Sequence, residues 1–485
     1  MKVRHVLYFV VSVIALLGVI MFIFPEDGIR INKNWVLYFP SFEEMFLDSK
    51  KATVSADSLI NSQIDINEII PEENINEIDS IDFEELKKSI TPLEFPEDNP
   101  HALDNFYSKL HNMDKEKRVR VMHYGDSQIE GDRISSFIRS KFQTRYGGLG
   151  IGLCSPVAIY AQYSLKQANS ANWYRHNGFA YSENISPHKK YGPMIAYNRF
   201  APIPDSATWE ATTKYSAWLE FSESNLGYSN TKTFKNIAIY YGNSKTKVQI
   251  KVISDGHELA VDSLEAGEDL YVYRYNSDTY LNNVRLEFEA YDSPDFYAIS
   301  LEDDTGVFVD NIALRGSSGT VFTTTDGSLL AKSFAELGVD LFILQFGGNT
   351  VPYIEDAKSA ERFANHFYYQ LAFLKNVVPD VNIIVIGPSD MATKIKDDYQ
   401  TYPNLENIVD ELRKATHRAG CVYWDMYKAM GGENSMIAWV NANPPLASPD
   451  FVHFTPNGAN VVSNIFYNSL IINYAEYLER AKNAK

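Results

Sequence analysis

The chain has 485 residues and a formal net charge of −18, long enough for two domains and a tail. That acidity excludes nucleic acid, whose phosphates call for basic patches, and disfavours docking on anionic lipid. The two cysteines, Cys154 and Cys421, imply neither a disulfide framework nor a cysteine-based metal site, and no cofactor is expected.

The chain opens with Lys2, Arg4 and His5 and then runs uncharged and mostly apolar from Val6 to Phe24. Those residues, at about 1.5 Å each, nearly cross a hydrocarbon core of about 30 Å. The run ends at Met21-Phe-Ile-Phe-Pro25 with no small-residue cleavage site and no lipidation cysteine. Residues 1–25 are therefore expected to be an uncleaved transmembrane signal-anchor, the rival being a cleaved signal peptide. The positive charge in front keeps the N-terminus cytoplasmic, which predicts a single-pass protein of the inner (plasma) membrane with its body on the periplasmic or extracytoplasmic side. Residues 26–100 read as an acidic linker with one short helix near Phe83 to Ile90.

From residue 101 to 148 the pattern is a short helix, then a strand in which Val119 and Val121 alternate with charged residues, then Gly125. After it Ile134, Phe137, Ile138 and Phe142 recur at helical spacing. A serine at such a strand–turn–helix junction, here Ser127 in Gly125-Asp126-Ser127-Gln128, is exposed above a sheet as a nucleophile; alternatively, Asp126 or Ser127 merely caps the helix. A glycine cluster, GGLGIG from Gly147, marks a boundary. Between 149 and 305 six short stretches alternate apolar and polar residues: Ala217–Phe221, Phe234–Tyr241, Val248–Ser254, Leu270–Tyr275, Val284–Ala290 and Phe296–Glu302. They read as an inserted β-sandwich. Its Trp173, Tyr174, Trp209 and Trp218 are either core or a sugar-stacking surface.

From 306 to 485 strands and helices alternate. Strands are expected at Val307–Leu314, Leu341–Phe346, Val381–Ile386 and Cys421–Met426. Helices are expected at Leu329–Leu337, Ala357–Val377, Asn404–Ala419 and Asn457–Ala481. This is the order of a three-layer α/β fold with a parallel sheet. Two motifs stand at strand ends. Gly347-Gly348-Asn349 closes a buried strand, and the Asn349 amide can donate to a developing oxyanion. Asp450-Phe451-Val452-His453 lies on a loop before a helix started by Thr455 and Pro456, and suits a general base with its orienting carboxylate. His123 is expected to be packed and His417 to be on the surface.

These blocks resemble the SGNH (GDSL-like) hydrolases, over about 120–145 and 305–475. The resemblance makes Ser127 the nucleophile, Asn349 an oxyanion donor, and Asp450 and His453 the rest of a Ser–His–Asp triad. The stretch from Asn311 to Gly316 is similar to the family's second block. That adds the Gly316 N–H to those of Ser127 and the Asn349 amide in an oxyanion hole, with Gly319 as a rival. The serine is followed by Gln128 rather than leucine, and then by Gly131-Asp132-Arg133, which is more similar to the periplasmic branch acting on O-acetylated cell-wall sugars. The resemblance implies a serine esterase removing O-acetyl groups from a cell-envelope or extracellular glycan. The alternatives it leaves are an O-acetyltransferase, working with a membrane-bound acyltransferase partner, and a non-catalytic glycan-binding protein on a hydrolase scaffold.

Overall fold

The computed structural model describes residues 3–24, 29–32, 35–37, 90–179, 186–205, 209–396 and 398–483. The chain divides into two compact units, residues 1–53 and 54–485. In the first, helix α1 spans Val3–Ile23, and β1 (Ile29–Asn32) pairs antiparallel with β2 (Trp35–Leu37). The structure does not show the expected transmembrane span of residues 1–25. Among the described residues no helix is long and apolar enough to cross a membrane; Arg4 and His5 occupy the first turn of α1, where Arg4 Nε donates to Tyr8 Oη. The helix expected near Phe83 to Ile90 falls, apart from Ile90, outside the described residues.

The second unit begins with α2 (Asp104–His111), β3 (Arg118–Gly125) and α3 (Ser135–Tyr146). Next come β4 (Gly150–Cys154), β5 (Leu165–Asn169), β6 (Tyr174–Asn177), β7 (Ala196–Arg199), β8 (Tyr215–Glu223) and β9 (Phe234–Gly242). They are followed by β10 (Val248–Ser254), β11 (His257–Leu264), β12 (Tyr271–Leu281), β13 (Asn283–Ala290) and β14 (Asp295–Glu302). The closing part holds β15 (Gly306–Ala313), α4 (Gly327–Leu337), β16 (Val339–Gln345), α5 (Ala357–Val377), β17 (Asn382–Ile386), β18 (Ala392–Ile395) and β19 (Asp398–Thr401). It ends with α6 (Leu405–Arg418), β20 (Val422–Trp424) and α7 (Pro456–Asn483).

Five strands form a wholly parallel sheet in the order β15-β3-β16-β17-β20. A parallel sheet is covered on both faces, so its strands read as apolar runs; β16 is buried along its whole length. Successive side chains point to opposite faces. Val119 and Val121 pack with α2, α3 and α7 on one side, while Met122 and Tyr124 pack with α4, α5 and α6 on the other. Local chemistry sets the helix ends. Asp326 accepts from Leu329 N to start α4, and Gly338, in the left-handed region at φ 65°, stops it. Thr455 Oγ1 accepts from Gly458 N at the start of α7, whose first residue is Pro456.

The chain between α3 and β15 builds two antiparallel sheets. One has the order β11-β10-β13-β8-β5; the other is β12-β9-β14-β7-β6, with β4 also paired to β14. They share one apolar cluster that includes Leu219, Ile250, Leu286 and Phe288 from the first and Ile237, Ile239, Phe296 and Leu301 from the second. All six strands anticipated here are present. Strand β11 was not anticipated because most of it is exposed and shows no apolar alternation. The glycine cluster is more than a boundary. Gly150 and Gly152, both at positive φ, lie in β4, and a Cβ on Gly152 would stand 2.3 Å from Asp310 Oδ1.

Strand β14 is buried along its whole length. Phe296, Ile299 and Leu301 enter the cluster between the antiparallel sheets, whereas Tyr297 and Ala298 join the apolar cluster under the parallel sheet. A buried ion cluster accompanies this packing. Arg120 of β3 donates to both oxygens of Asp310 in β15, at 2.8 and 2.9 Å, and to Glu302 of β14 at 2.5 Å. Cys154 and Cys421 are free and buried. His417 is half-buried rather than on the surface, its Nε2 lying 3.2 Å from Glu94 O.

Candidate active site

Strand β3 delivers the chain to the site and stops at Gly125. A 3₁₀ turn over Glu130–Asp132 then delays α3, which starts only at Ser135 with no side-chain cap. Neither Asp126 nor Ser127 caps that helix. Ser127 is left on the turn, half-buried, above the C-terminal edge of the parallel sheet.

The loop before α7 brings His453 and Asp450. Ser127 Oγ lies 2.8 Å from His453 Nε2, and His453 Nδ1 lies 2.8 Å from Asp450 Oδ2. The other Asp450 oxygen accepts from the N–H groups of Val452 and His453, both at 3.0 Å. Although burial pulls the other way, these hydrogen bonds and the imidazole hold the Asp450 carboxyl below its ordinary range. The tight turn depends on Phe451, which takes the left-handed region at φ 58°. Its ring stacks on Tyr399 of β19, with centroids 3.8 Å apart, and its carbonyl accepts from Ala392 N. The hairpin β18–β19, which the sequence did not signal, thus braces this loop.

The two remaining residues flank the array. Asn349, in the 3₁₀ turn after β16, donates from Nδ2 to Asp126 Oδ2 and to Ser317 O, each at 3.1 Å. Both of its amide hydrogens are therefore engaged within the protein. Gly316, at φ 79°, is exposed in the turn after β15, next to Ser317. The rival Gly319 is committed elsewhere: a Cβ there would meet the Phe346 ring at 2.6 Å, and its N–H donates to Ser317 Oγ. Burial pushes the Asp126 carboxyl up to about 6, against the opposing N–H bond from Gln128, the charge of His453 and the Asn349 amide.

An open groove of about 400 Å³ runs past the array, lined by Ser127, Glu130, Arg133, Tyr163, Arg315 and His453 among others. Arg133 is a strap, donating to Glu130 O, Ser127 O and Phe454 O. Arg315 is exposed and reaches Glu130 at 3.3 Å. Gln128, nearly buried, donates from Nε2 to Val452 O at 2.6 Å and accepts from Phe454 N at 3.4 Å. Sequence reasoning flagged Gln128 only as a departure and gave no role to Arg315 or Tyr163; Gln128 and Arg315 could have been found by their closeness to the blocks, whereas Tyr163 lies far from them in sequence. Asp132 is structural, paired in the interior with Arg139 and Ser164. His123 is packed as expected, bonded to Gln345 and Ser135, and burial drives its imidazole down to about 3.

A second Ser–His–Asp array makes the contrast plain. His188 lies 3.2 Å from Ser186 Oγ and 3.1 Å from Asp295 Oδ2. Ser186 is buried and accepts from Tyr197 Oη, and Asp295 is already bound to Arg199. Serine and carboxylate are both spent there. Trp173 is likewise core rather than platform, packed edge-on against Phe200, Phe288 and Phe296, with Nε1 donating to Trp218 O. Lys245 stands over Trp209, and Arg285 over Trp218.

No protein-family model and no curated protein matches the chain. Among solved structures, a peptidoglycan O-acetylesterase superposes with a TM-score of 0.58 at 18% identity, over 76% of this chain and 96% of the other. The chain resembles the SGNH (GDSL-like) esterases. Est24, a carbohydrate acetylesterase from Sinorhizobium meliloti, is a more distant likeness, with a TM-score of 0.24 and 12% identity over 34% of this chain and 77% of its own. What the SGNH-like likeness carries is the fold: a parallel α/β sheet whose C-terminal edge bears the turns of Ser127, Gly316 and Asn349.

Proposed function

We propose that the protein is a serine esterase that removes O-acetyl groups from a cell-envelope or extracellular glycan. The observation that carries this reading is the unbroken Ser127–His453–Asp450 hydrogen-bonded chain facing an open groove. In this reading Ser127 Oγ attacks the acetyl carbonyl carbon while His453 Nε2 takes its proton. Asp450 keeps the Nδ1 proton in place and stabilises the imidazolium. The N–H groups of Ser127 and Gly316 and the Asn349 amide hold the oxyanion. Because Asn349 already serves Asp126 and Ser317, it shares a hydrogen with the oxyanion rather than offering a free one. Collapse of the intermediate breaks the bond to the sugar oxygen, which leaves with the His453 proton. Water, deprotonated by the same imidazole, then releases acetate and restores Ser127.

The likeness to a peptidoglycan O-acetylesterase supports an acetylated polymer as substrate, and an open groove beside Ser127 and His453 suits one. We take the two antiparallel sheets as the inserted β-sandwich, residues 149–305, between hydrolase segments 101–148 and 306–485. The uncharged run from Val6 to Phe24 supports membrane association, with the body outside the cytoplasm. Two experiments test the reading. An active-site phosphonate should label Ser127, and acetate release from O-acetylated glycan should vanish in Ser127→Ala and His453→Ala; release undiminished by Ser127→Ala sinks the assignment. A fusion reporter after Lys485 that is active in the cytoplasm would sink the localisation.

A further inference from the structure

We propose that Gln128 is a positioning residue that fixes the base against the nucleophile. The proposal rests on the reading of Ser127 and His453 as that pair. Ser127 and His453 lie on separate loops, more than three hundred residues apart, and must be held at one distance. Gln128 is the covalent neighbour of Ser127. Its side-chain amide spans the peptide groups on either side of His453, giving Nε2–H to Val452 O at 2.6 Å and taking Phe454 N–H at 3.4 Å on Oε1. Nε2 also lies 3.3 Å from Ser389 Oγ, in the loop after β17. The side chain thus pairs with the base loop much as a neighbouring strand would, and one residue ties the backbone of the nucleophile to the backbone of the base.

The same residue reaches the third part of the site. Its backbone N–H donates to Asp126 Oδ1 at 2.9 Å, and the other oxygen of Asp126 holds the Asn349 amide. Gln128 is only 7% exposed, so water cannot easily replace these bonds. An apolar side chain of the same length would fill the space but leave Val452 O and Phe454 N–H without their partner. The loop would still fold. Arg133 ties Ser127 O to Phe454 O, Ser448 N donates to His453 O, and Phe451 remains stacked on Tyr399. What would be lost is the exact placement of the imidazole, to which the chemical step is far more sensitive than binding.

The test is Gln128→Met, assayed in the full chain on a small chromogenic acetyl ester beside thermal melting and phosphonate labelling. The expected result is a fall in kcat on the order of 10²-fold, KM unchanged, an intact melting transition, and labelling of Ser127 slowed in the same proportion. Gln128→Asn keeps the amide but is one methylene too short to reach Val452 O; it should fold and be slow in the same way, which covers the case in which the methionine variant does not fold. Wild-type kcat in either folded variant overturns the clamp. So does a loss of kcat that only tracks the unfolded fraction. Failure of the esterase reading looks different: the wild type itself would be neither labelled nor active.

Discussion

Replacing Asp450 by alanine separates orientation from proton chemistry. Its carboxylate lies 2.8 Å from His453 Nδ1, and its side chain is 50% exposed. When His453 takes the serine proton, the attraction between the two charges at that distance is about 1.5 kcal/mol in a water-like dielectric and about 6 kcal/mol at the value typical of a protein surface. Half-exposure puts this pair between those limits, at about 3 kcal/mol, because solvent screens it. At about 1.4 kcal/mol per decade, Asp450→Ala should lower kcat/KM on a small acetyl ester by on the order of 10²-fold. The loss should lie mainly in kcat, since no substrate contact is removed. Ser127→Ala, which deletes the nucleophile, should fall to background. A loss in Asp450→Ala as deep as in Ser127→Ala would refute the reasoning, because an exposed orienting group cannot be that costly. An unchanged kcat would refute it from the other side, by showing that another group orients His453.

Asn349→Ala should lower kcat by on the order of 10²–10³-fold with KM spared, as measured on the same ester; an unaffected kcat removes Asn349 from the oxyanion site. Asp126→Asn tests the buried carboxyl. A carboxyl raised to about 6 contributes stability that is present below the ordinary carboxylate range and lost as pH rises through about 6. Denaturant melts should therefore show the wild type losing up to about 3 kcal/mol relative to Asp126→Asn between pH 4 and pH 7; a pH-independent difference contradicts the burial argument. Trp173→Ala removes an edge-packed, partly buried ring and should cost about 3 kcal/mol, the low end for such truncations. Activities on small esters and on acetylated glycan should then fall together, whereas loss on the polymer alone would reinstate Trp173 as a sugar contact.

The parallel sheet was legible because both its faces are covered: Leu341 to Leu344 and Ile383 to Ile386 are unbroken apolar runs. Helix ends were legible wherever a residue has one physical role, as at Gly338 and Pro456. Ser127, His453 and Asp450 could be singled out because each stands in a short motif beside a strand end or helix start, and the fold brings the three within hydrogen-bond reach. The bracing could not. Gln128 acts across 326 residues on Phe454, and Tyr399 across a hairpin on Phe451; neither contact leaves a periodic trace. Trp173 shows the opposite difficulty, since an aromatic in a β-rich stretch has the same sequence signature in a core as on a platform.

The buried cluster of Arg120, Asp310 and Glu302 bears on how far this protein is modular. Cutting out the chain between α3 and β15 would remove Glu302, one of the two carboxylates that neutralise an interior guanidinium. It would also strip Tyr240, Tyr297 and Ala298 from the apolar cluster that lies against Phe334 and Phe342. The excised α/β body would be left with a wound in place of a surface. The segment between α3 and β15 is thus no cassette that can be deleted, swapped or grafted at will. Any graft of this segment onto another α/β body would need a guanidinium and a carboxylate placed as Arg120 and Asp310 are in β3 and β15.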